Sequence, residues 1–66
     1  MVVTANGTPV TLPSGAFVSD LLDAMGLVGR VVVVELNGSP VDRRDVTTTA
    51  LADGDRCEVV RAVAGG

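Results

Sequence analysis

Apolar and polar positions follow two different periods along the chain, and the longer period predicts one helix. Four apolar residues recur at the i, i+3, i+4, i+7 spacing of a single helix face: Val18, Leu21, Leu22 and Met25. Gly26 follows at the position where a helix often ends in a left-handed residue. Phe17 precedes the stripe, where a Ser or Thr cap is preferred, and is expected to pack beneath the helix. About two turns of helix are unstable alone in water, so this segment must lie against a sheet.

Two Asn-Gly pairs predict two β-hairpins, one on each side of the helix. Asn6-Gly7 separates the short apolar segment 1–5 from the alternating segment 8–12. Asn37-Gly38 repeats the signal after the predicted helix. Both central residues of a type I′ turn have positive φ, which Asn and Gly accept. Pro9 lacks a backbone N–H, so the second strand is expected at an edge of the sheet.

Two later segments supply the remaining long strands. Residues 31–36 contain four consecutive valines, which favours a central strand covered on much of both faces. Residues 56–63 alternate instead, so that successive side chains point to opposite faces of the sheet. The alternation predicts an inward set and an outward set: Cys57, Val59 and Arg61 inward, and Glu58, Val60 and Ala62 outward.

The element order predicts an α+β fold in which one helix packs across one face of a mixed sheet. The first and last strands are expected to lie side by side and parallel at its centre. Between them, the charged segment Asp42–Asp45 is interpreted as a solvated bend, and residues 46–52 as a short strand or a 3₁₀ turn. This order is similar to that of the β-grasp, or ubiquitin-like, fold. Residues 1–66 would form one domain with a flexible tail at about 63–66.

Composition narrows the classes of partner. A hydrophobic fraction of 47% favours a folded core over disorder. The net charge of −3, with one Phe and no Trp or Tyr, provides neither a basic face nor a stacking platform, so no nucleic-acid partner is expected. No apolar run approaches the roughly 20 residues of a membrane span. The uncharged start Met1–Thr4 and a single cysteine, which cannot form an internal disulfide, indicate a cytoplasmic protein.

The chain is poor in catalytic groups. It has no His and a single Cys, which excludes a zinc set and a Cys–His dyad and leaves no obvious general base near neutral pH. It has no Gly-rich loop that opens a helix and could hold a phosphate group. It also has no lysine. These features predict a substrate of other enzymes, with no bound cofactor or metal of its own.

The whole chain resembles the ThiS family of small sulfur carriers in thiamin biosynthesis. The resemblance rests on the first hairpin and on five further segments: Val18–Leu22, Val34–Gly38, Pro40-Val41 with Arg43, Asp53–Arg56, and Val63–Gly66. Its specific part is the Asp-Gly-Asp turn followed, one strand later, by a terminal Gly-Gly. The other segments are compatible with any β-grasp protein.

This resemblance implies a chemistry for the C-terminus. A ThiF-type adenylyltransferase would use ATP and Mg²⁺ to adenylate the carboxylate of Gly66. Sulfur from a donor such as a cysteine desulfurase would convert it to a thiocarboxylate, which would deliver sulfur to thiazole synthase. Gly65 would be the essential spacer, because a Cβ there would obstruct the tail in two enzyme channels.

Partner contacts are predicted along the approach to the tail. The outward residues Glu58 and Val60 lead directly into it and are candidates for a docking surface. Arg61 and Val63, continued by Ala64, are interpreted as anchors of the tail within a partner. The negative net charge of the chain suits a partner with a basic docking patch.

Cys57 and the family assignment each leave an alternative. A persulfide on Cys57 is conceivable in a sulfur carrier, but an inward cysteine behaves as a small hydrophobe, and we interpret it as structural.

A MoaD-like small subunit of molybdopterin synthase would use the same thiocarboxylate chemistry. Such chains tend to be longer, with prolines before the Gly-Gly, which Arg61–Val63 lacks. A ubiquitin-like modifier and a non-catalytic β-grasp interaction module are the remaining alternatives.

Overall fold

The computed structural model describes residues 1–61 and shows a five-stranded mixed sheet with one α-helix. The elements in chain order are β1 (Val2–Ala5), β2 (Thr8–Thr11), α1 (Val18–Ala24), β3 (Val32–Leu36), β4 (Ser39–Val41), a 3₁₀ helix (Arg43–Asp45) and β5 (Arg56–Arg61). The strand order is β2-β1-β5-β3-β4. β1 and β5 are parallel, and the other neighbours are antiparallel. The predicted α+β fold, with its first and last strands parallel at the centre, is confirmed.

Both predicted hairpin turns have the expected backbone conformation. Asn6 and Gly7 have φ angles of 50° and 82°, and Asn37 and Gly38 have φ angles of 51° and 86°. Positive φ at both central positions is the signature of a type I′ turn, whose twist matches that of the flanking strands. Pro9 lies in β2 at the edge of the sheet, as predicted.

The helix begins without a side-chain cap from its first flanking residue. Phe17 has the extended backbone of an N-cap, and the Asp20 carboxylate accepts a hydrogen bond from the Phe17 N–H at 2.7 Å. In a capping box, the side chain of the third helical residue accepts from the backbone N–H of the N-cap residue, and Asp20 makes this bond here. The prediction that Phe17 packs beneath the helix is wrong, because its residue surface is 39% exposed. Val18 and Leu21, both fully buried, fill the space under the helix instead.

The helix ends in a Schellman motif built around Gly26. Gly26 has a φ of +74°, and its N–H donates to the carbonyl of Asp23 at 3.0 Å. The N–H of Leu27 donates to the carbonyl of Leu22 at 2.9 Å, which closes the outer bond of the motif. The predicted glycine stop is therefore confirmed, and it directs the chain from the helix toward β3.

The core lies between the helix and one face of the sheet. The largest side chains that are less than 2% exposed come from the helix and three strands: Val3, Val18, Leu21, Val34 and Cys57. The prediction that residues 31–36 are covered on much of both faces is wrong. Val34 faces the helix, whereas Val31 and Val33 are 62% and 58% exposed. Within residues 1–61 the single helix covers one face, and no second layer covers the other.

The segment after β4 is a capped turn on the surface. The Asp42 carboxylate accepts a hydrogen bond from the Arg44 N–H at 2.8 Å and forms an ion pair with the Arg44 side chain. The backbone bond, and then the side-chain bond, lowers the pKa of Asp42. Residues 46–48 continue as turns, and Ala50 forms a single β-bridge with Phe17. The prediction of a short strand or a 3₁₀ turn at residues 46–52 is therefore wrong, because the 3₁₀ helix lies in the charged segment before them. The charged segment is exposed to solvent, as predicted.

In the part of the chain that the structure describes, no helix is long and apolar enough to cross a membrane.

Gly26 provides a test of the helix stop. No heavy atom lies within 4 Å of a Cβ added at this glycine, so a substitution there strains the backbone without a clash. Gly26→Ala is expected to lower the free energy of unfolding by about 1–2 kcal/mol, because an L-residue is disfavoured in the left-handed region. Gly26→Asn is the matched control and should lower the free energy of unfolding by less, since Asn tolerates the left-handed region. Urea unfolding followed by circular dichroism measures both. Equal stability of Gly26→Ala and the wild type would contradict this description of the motif.

Candidate functional site

The predicted reactive end of the chain lies beyond the residues that the structure describes. These residues are Val63, Ala64, Gly65 and Gly66, together with Ala62 before them. Their predicted roles stay predictions. The described part of the candidate site is therefore its approach, strand β5, which carries Glu58, Val60 and Arg61.

The approach to the tail is the central strand of the sheet. β5 pairs with β1 in parallel and with β3 in antiparallel. The last pairs on the β3 side join Val60 to Val33 and Arg61 to Val32. A strand held by neighbours moves with the sheet, so a partner that binds the sheet also fixes the point where β5 ends.

Four residues of β3 and β5 form one exposed surface on the side of the sheet away from the helix. Val60 lies opposite Val33, and these residues are 63% and 58% exposed. Glu58 lies opposite Glu35 in the same register, and both are exposed. We call this surface the open sheet face, defined by Val33, Glu35, Glu58 and Val60. It confirms that Glu58 and Val60 point outward, as predicted.

Val33 and Glu35 were missed as site residues in the sequence. Their place in the open sheet face depends on the register between β3 and β5, a pairing of residues more than twenty positions apart that no local pattern encodes. The alternation within β3 was a usable signal. Once Val34 is assigned to the core, Val33 and Glu35 must both point outward.

The open sheet face combines an apolar centre with negative charge. Side chains directly opposite on neighbouring antiparallel strands have Cβ atoms about 4.5–5.5 Å apart, and like charges at that spacing are unfavourable. Neither Glu35 nor Glu58 forms an ion pair within residues 1–61. A partner that brings a cation to this pair would relieve the repulsion, so the face suits a protein surface with Arg or Lys beside an apolar spot.

Arg61 belongs to the helix side of the sheet by alternation, as predicted, but it is exposed. It pairs with the half-buried Val32 at the end of the sheet, beyond the tightly packed Val34 and Val59. Its guanidinium is therefore accessible at the last described position before the tail.

Cys57 is part of the core. Its residue surface is 1% exposed, and it points inward beside Val59, as predicted. Burial, followed by the negative charges of Asp55 and Glu58, raises the pKa of the Cys57 thiol. A thiolate is the reactive form of cysteine, so both the location and the pKa argue against a persulfide on this residue.

Other features of the described residues supply no catalytic group. Residues 1–61 contain no cluster of three or more His, Cys, Asp or Glu side chains that could hold a metal ion. A groove of about 390 Å³ lies on the helix side, between the end of α1 and strands β3 and β4. Its lining is mainly aliphatic, with four polar residues: Ser19, Asp23, Arg30 and Arg43. The groove and the open sheet face lie on opposite sides of the sheet.

Comparisons with known proteins give a consistent result over nearly the whole chain. A family model described as the ThiS family matches residues 3–66. A crystal structure of the thiamine biosynthesis protein ThiS from Geobacter metallireducens is similar at 35% identity, with a TM-score of 0.81 and complete coverage of both chains. A solution NMR structure of a thiamine biosynthesis protein from the same organism has 35% identity and a TM-score of 0.78, covering 100% of this chain and 88% of the other. No curated protein sequence gives a significant match.

The buried thiol provides a prediction that needs no partner. Cys57 should react with a thiol-specific dye roughly 100-fold or more slowly than a free thiol, because labelling requires the core to open. The native state holds the proton more tightly than the unfolded chain, since burial raises the pKa of Cys57. Stability should therefore fall as pH rises from the ordinary thiol pKa to the native one.

Cys57→Val is the matched variant for this effect. It should change the free energy of unfolding by less than about 1.5 kcal/mol at neutral pH, because the two side chains have similar volumes. In this variant, the part of the fall in stability at alkaline pH that depends on the thiol should be absent. Urea unfolding of both proteins across an alkaline pH series measures the difference. Rapid labelling of the native wild type would show that the thiol is accessible.

Proposed function

The chain belongs to the ThiS family, and from this premise we propose that it carries sulfur for thiamin biosynthesis on the main-chain carboxylate of Gly66. The observation that carries the proposal is the family match over residues 3–66, which extends through the Gly-Gly at the end of the chain. A protein of this kind is a carrier and not a catalyst. Its chemistry depends on enzymes that act on its C-terminus.

Activation of Gly66 begins with a poor electrophile. A carboxylate is negatively charged and has oxide as its leaving group, so it does not accept a sulfur nucleophile directly. In the proposed step, a carboxylate oxygen of Gly66 attacks the α-phosphorus of ATP and pyrophosphate leaves. The product is an acyl adenylate with AMP as a good leaving group. A ThiF-type adenylyltransferase would supply the ATP site and the Mg²⁺ that neutralises the phosphate charge.

Sulfur then replaces AMP. The terminal sulfur of a persulfide, formed by a donor such as a cysteine desulfurase, attacks the carbonyl carbon of Gly66, and the bond to the AMP oxygen breaks. A second thiol cleaves the resulting S–S bond, becomes oxidised to a disulfide, and leaves a thiocarboxylate on the chain. The thiocarboxylate supplies its sulfur to thiazole synthase as the thiazole ring is built.

The inventory of side chains supports a carrier that depends on its partners. The chain contains no His, and its single Cys is buried at position 57. Glycines at the two last positions add no Cβ, so the end of the chain can enter a channel too narrow for ordinary residues. The main-chain carboxylate is thus the functional group that best accounts for the pattern.

The open sheet face is the proposed docking surface for these partners. Val33 and Val60 provide exposed apolar area, and Glu35 and Glu58 provide charge for a basic patch. β5 runs from this face directly toward the tail. A partner bound there holds the tail near its own catalytic centre, which reduces the entropy lost when Gly66 enters it.

The family match and the two solved ThiS structures favour thiazole over molybdopterin among the carriers that use this chemistry. Nothing in residues 1–61 favours a protein modifier or a passive interaction module over a sulfur carrier.

Replacing both glycines tests the proposed reactive end. In Gly65→Ala, Gly66→Ala, the added Cβ atoms should obstruct the tail and misplace the carboxylate. Release of pyrophosphate with ATP and a ThiF-type enzyme should then fall roughly 100-fold, since small misplacements of a reacting group have effects of that size. Cys57→Val is the control and should be adenylated and thiolated normally. Adenylation and thiolation of the double variant at the wild-type rate would refute the steric role of the glycines.

The four most exposed valines of residues 1–61 allow a matched test of docking. Val33→Thr with Val60→Thr changes the open sheet face, whereas Val28→Thr with Val31→Thr changes exposed valines in the loop before β3. Thr keeps the β-branched shape and removes apolar area. The first pair should raise the KM of the adenylating enzyme for the carrier about tenfold, because buried valine area contributes on the order of 1 kcal/mol or more. The loop pair should leave KM unchanged. Equal KM values for the two pairs would exclude the open sheet face as the docking surface.

A further inference from the structure

The side chain of Asn6 binds the backbone of β5 at Val59, two residues before the end of the strand. Its Nδ2 donates a hydrogen bond to the carbonyl of Val59 at 2.9 Å, and the N–H of Val59 donates to its Oδ1 at 2.8 Å. The backbone N–H of Asn6 also donates to the carbonyl of Cys57 at 2.9 Å. Three hydrogen bonds therefore join this one turn residue to the C-terminal strand.

The amide of Asn6 takes the place of a strand that has ended. The parallel pairing of β1 with β5 consists of two register pairs, Thr4 with Arg56 and Ala5 with Cys57. At Asn6 the chain enters the type I′ turn with a φ of 50° and leaves the direction of β1. A carboxamide has the same donor and acceptor as a peptide unit, so the side chain extends the ladder to Val59 while the main chain turns away.

Beyond Val59, β5 is supported from one side. Val60 and Arg61 pair with Val33 and Val32 of β3. Among residues 1–61, the pair of hydrogen bonds between Asn6 and Val59 is the last contact of this kind on the β1 side of β5. Its loss would extend the part of β5 that β3 alone holds, from Val60 and Arg61 back to Val59.

We propose that Asn6 is a positioning residue for the carrier reaction: its side chain fixes the end of β5 so that Gly66 reaches the activating centre in a reproducible position. The inference rests on the proposed function, since it concerns delivery of the same carboxylate. Each residue of a strand spans about 3.3 Å, so fraying or slippage by a single residue moves the start of the tail by several times the distance that affects a reaction rate.

Asn37 provides a matched control within the same chain. It occupies the equivalent position of the second type I′ turn, with a φ of 51°. Its Oδ1 accepts from the N–H of Arg56 at 2.9 Å, and its Nδ2 donates to Asp55 at 3.0 Å. It therefore makes two side-chain hydrogen bonds as Asn6 does, one to the first residue of β5 and one to the residue before it, at the end of the strand remote from the tail.

The test compares Asn6→Gly with Asn37→Gly in the full chain. Glycine accepts positive φ, so each variant keeps its turn and loses only the amide. Amide hydrogen exchange at Val60, followed by NMR, should accelerate about tenfold in Asn6→Gly and remain near the wild-type rate in Asn37→Gly. With a ThiF-type enzyme and ATP, the kcat for pyrophosphate release should fall about tenfold in Asn6→Gly while KM stays constant, because no side chain of the open sheet face is changed. Asn37→Gly should keep the wild-type kcat and KM.

The outcomes separate this inference from the function on which it rests. An unchanged kcat in Asn6→Gly, or an equal loss in Asn37→Gly, overturns the positioning role while wild-type activation upholds the carrier. If the wild-type chain releases no pyrophosphate, the proposed function fails and the inference fails with it. If Asn6→Gly does not fold, Asn6→Asp tests the same inference. Asp keeps the oxygen that accepts from the Val59 N–H and loses the donor to the Val59 carbonyl, so kcat should fall by less than in Asn6→Gly.

Discussion

The pairing of β5 between β1 and β3 is the constraint on which the rest of the structure depends. It joins the first strand to the last described strand, places Cys57 and Val59 in the core, and puts β5 at the centre of the sheet. On the β3 side it has five register pairs, but on the β1 side it has two. Side chains from both hairpin turns supplement this pairing, Asn37 at the start of β5 and Asn6 near its end.

A single helix gives the sheet two different faces. The face under α1 buries the apolar side chains that stabilise a small domain, whereas the opposite face remains exposed in the described residues. The same asymmetry that limits the core thus leaves apolar area and two carboxylates available to partners. For the proposed carrier, the recognition surface would lie on β5, the last described strand before the predicted reactive end. Partners would then recognise the folded part of the chain, while the proposed chemistry takes place at Gly66.

Local features of the sequence were sufficient for much of the fold. The Asn-Gly turns, the helix spacing and the glycine stop at Gly26 each depend on neighbouring residues, and all are present. Pairing between distant residues was not predictable. Val33 opposite Val60 and the amide of Asn6 on Val59 are set by register and by tertiary contact. The run of valines was misleading because a strand covered on one face and a strand covered on both can have the same β-branched composition.

The most direct test of the carrier assignment is the mass of the intact chain. The chain is incubated with ATP, Mg²⁺, a ThiF-type adenylyltransferase and a persulfide donor, and the product is fragmented to locate any change. A thiocarboxylate predicts a mass increase equal to the replacement of one oxygen atom by one sulfur atom, located at Gly66 and present also in Cys57→Val. Sulfur added to Cys57, or an unmodified Gly66 under conditions that activate a known ThiS protein, would contradict it.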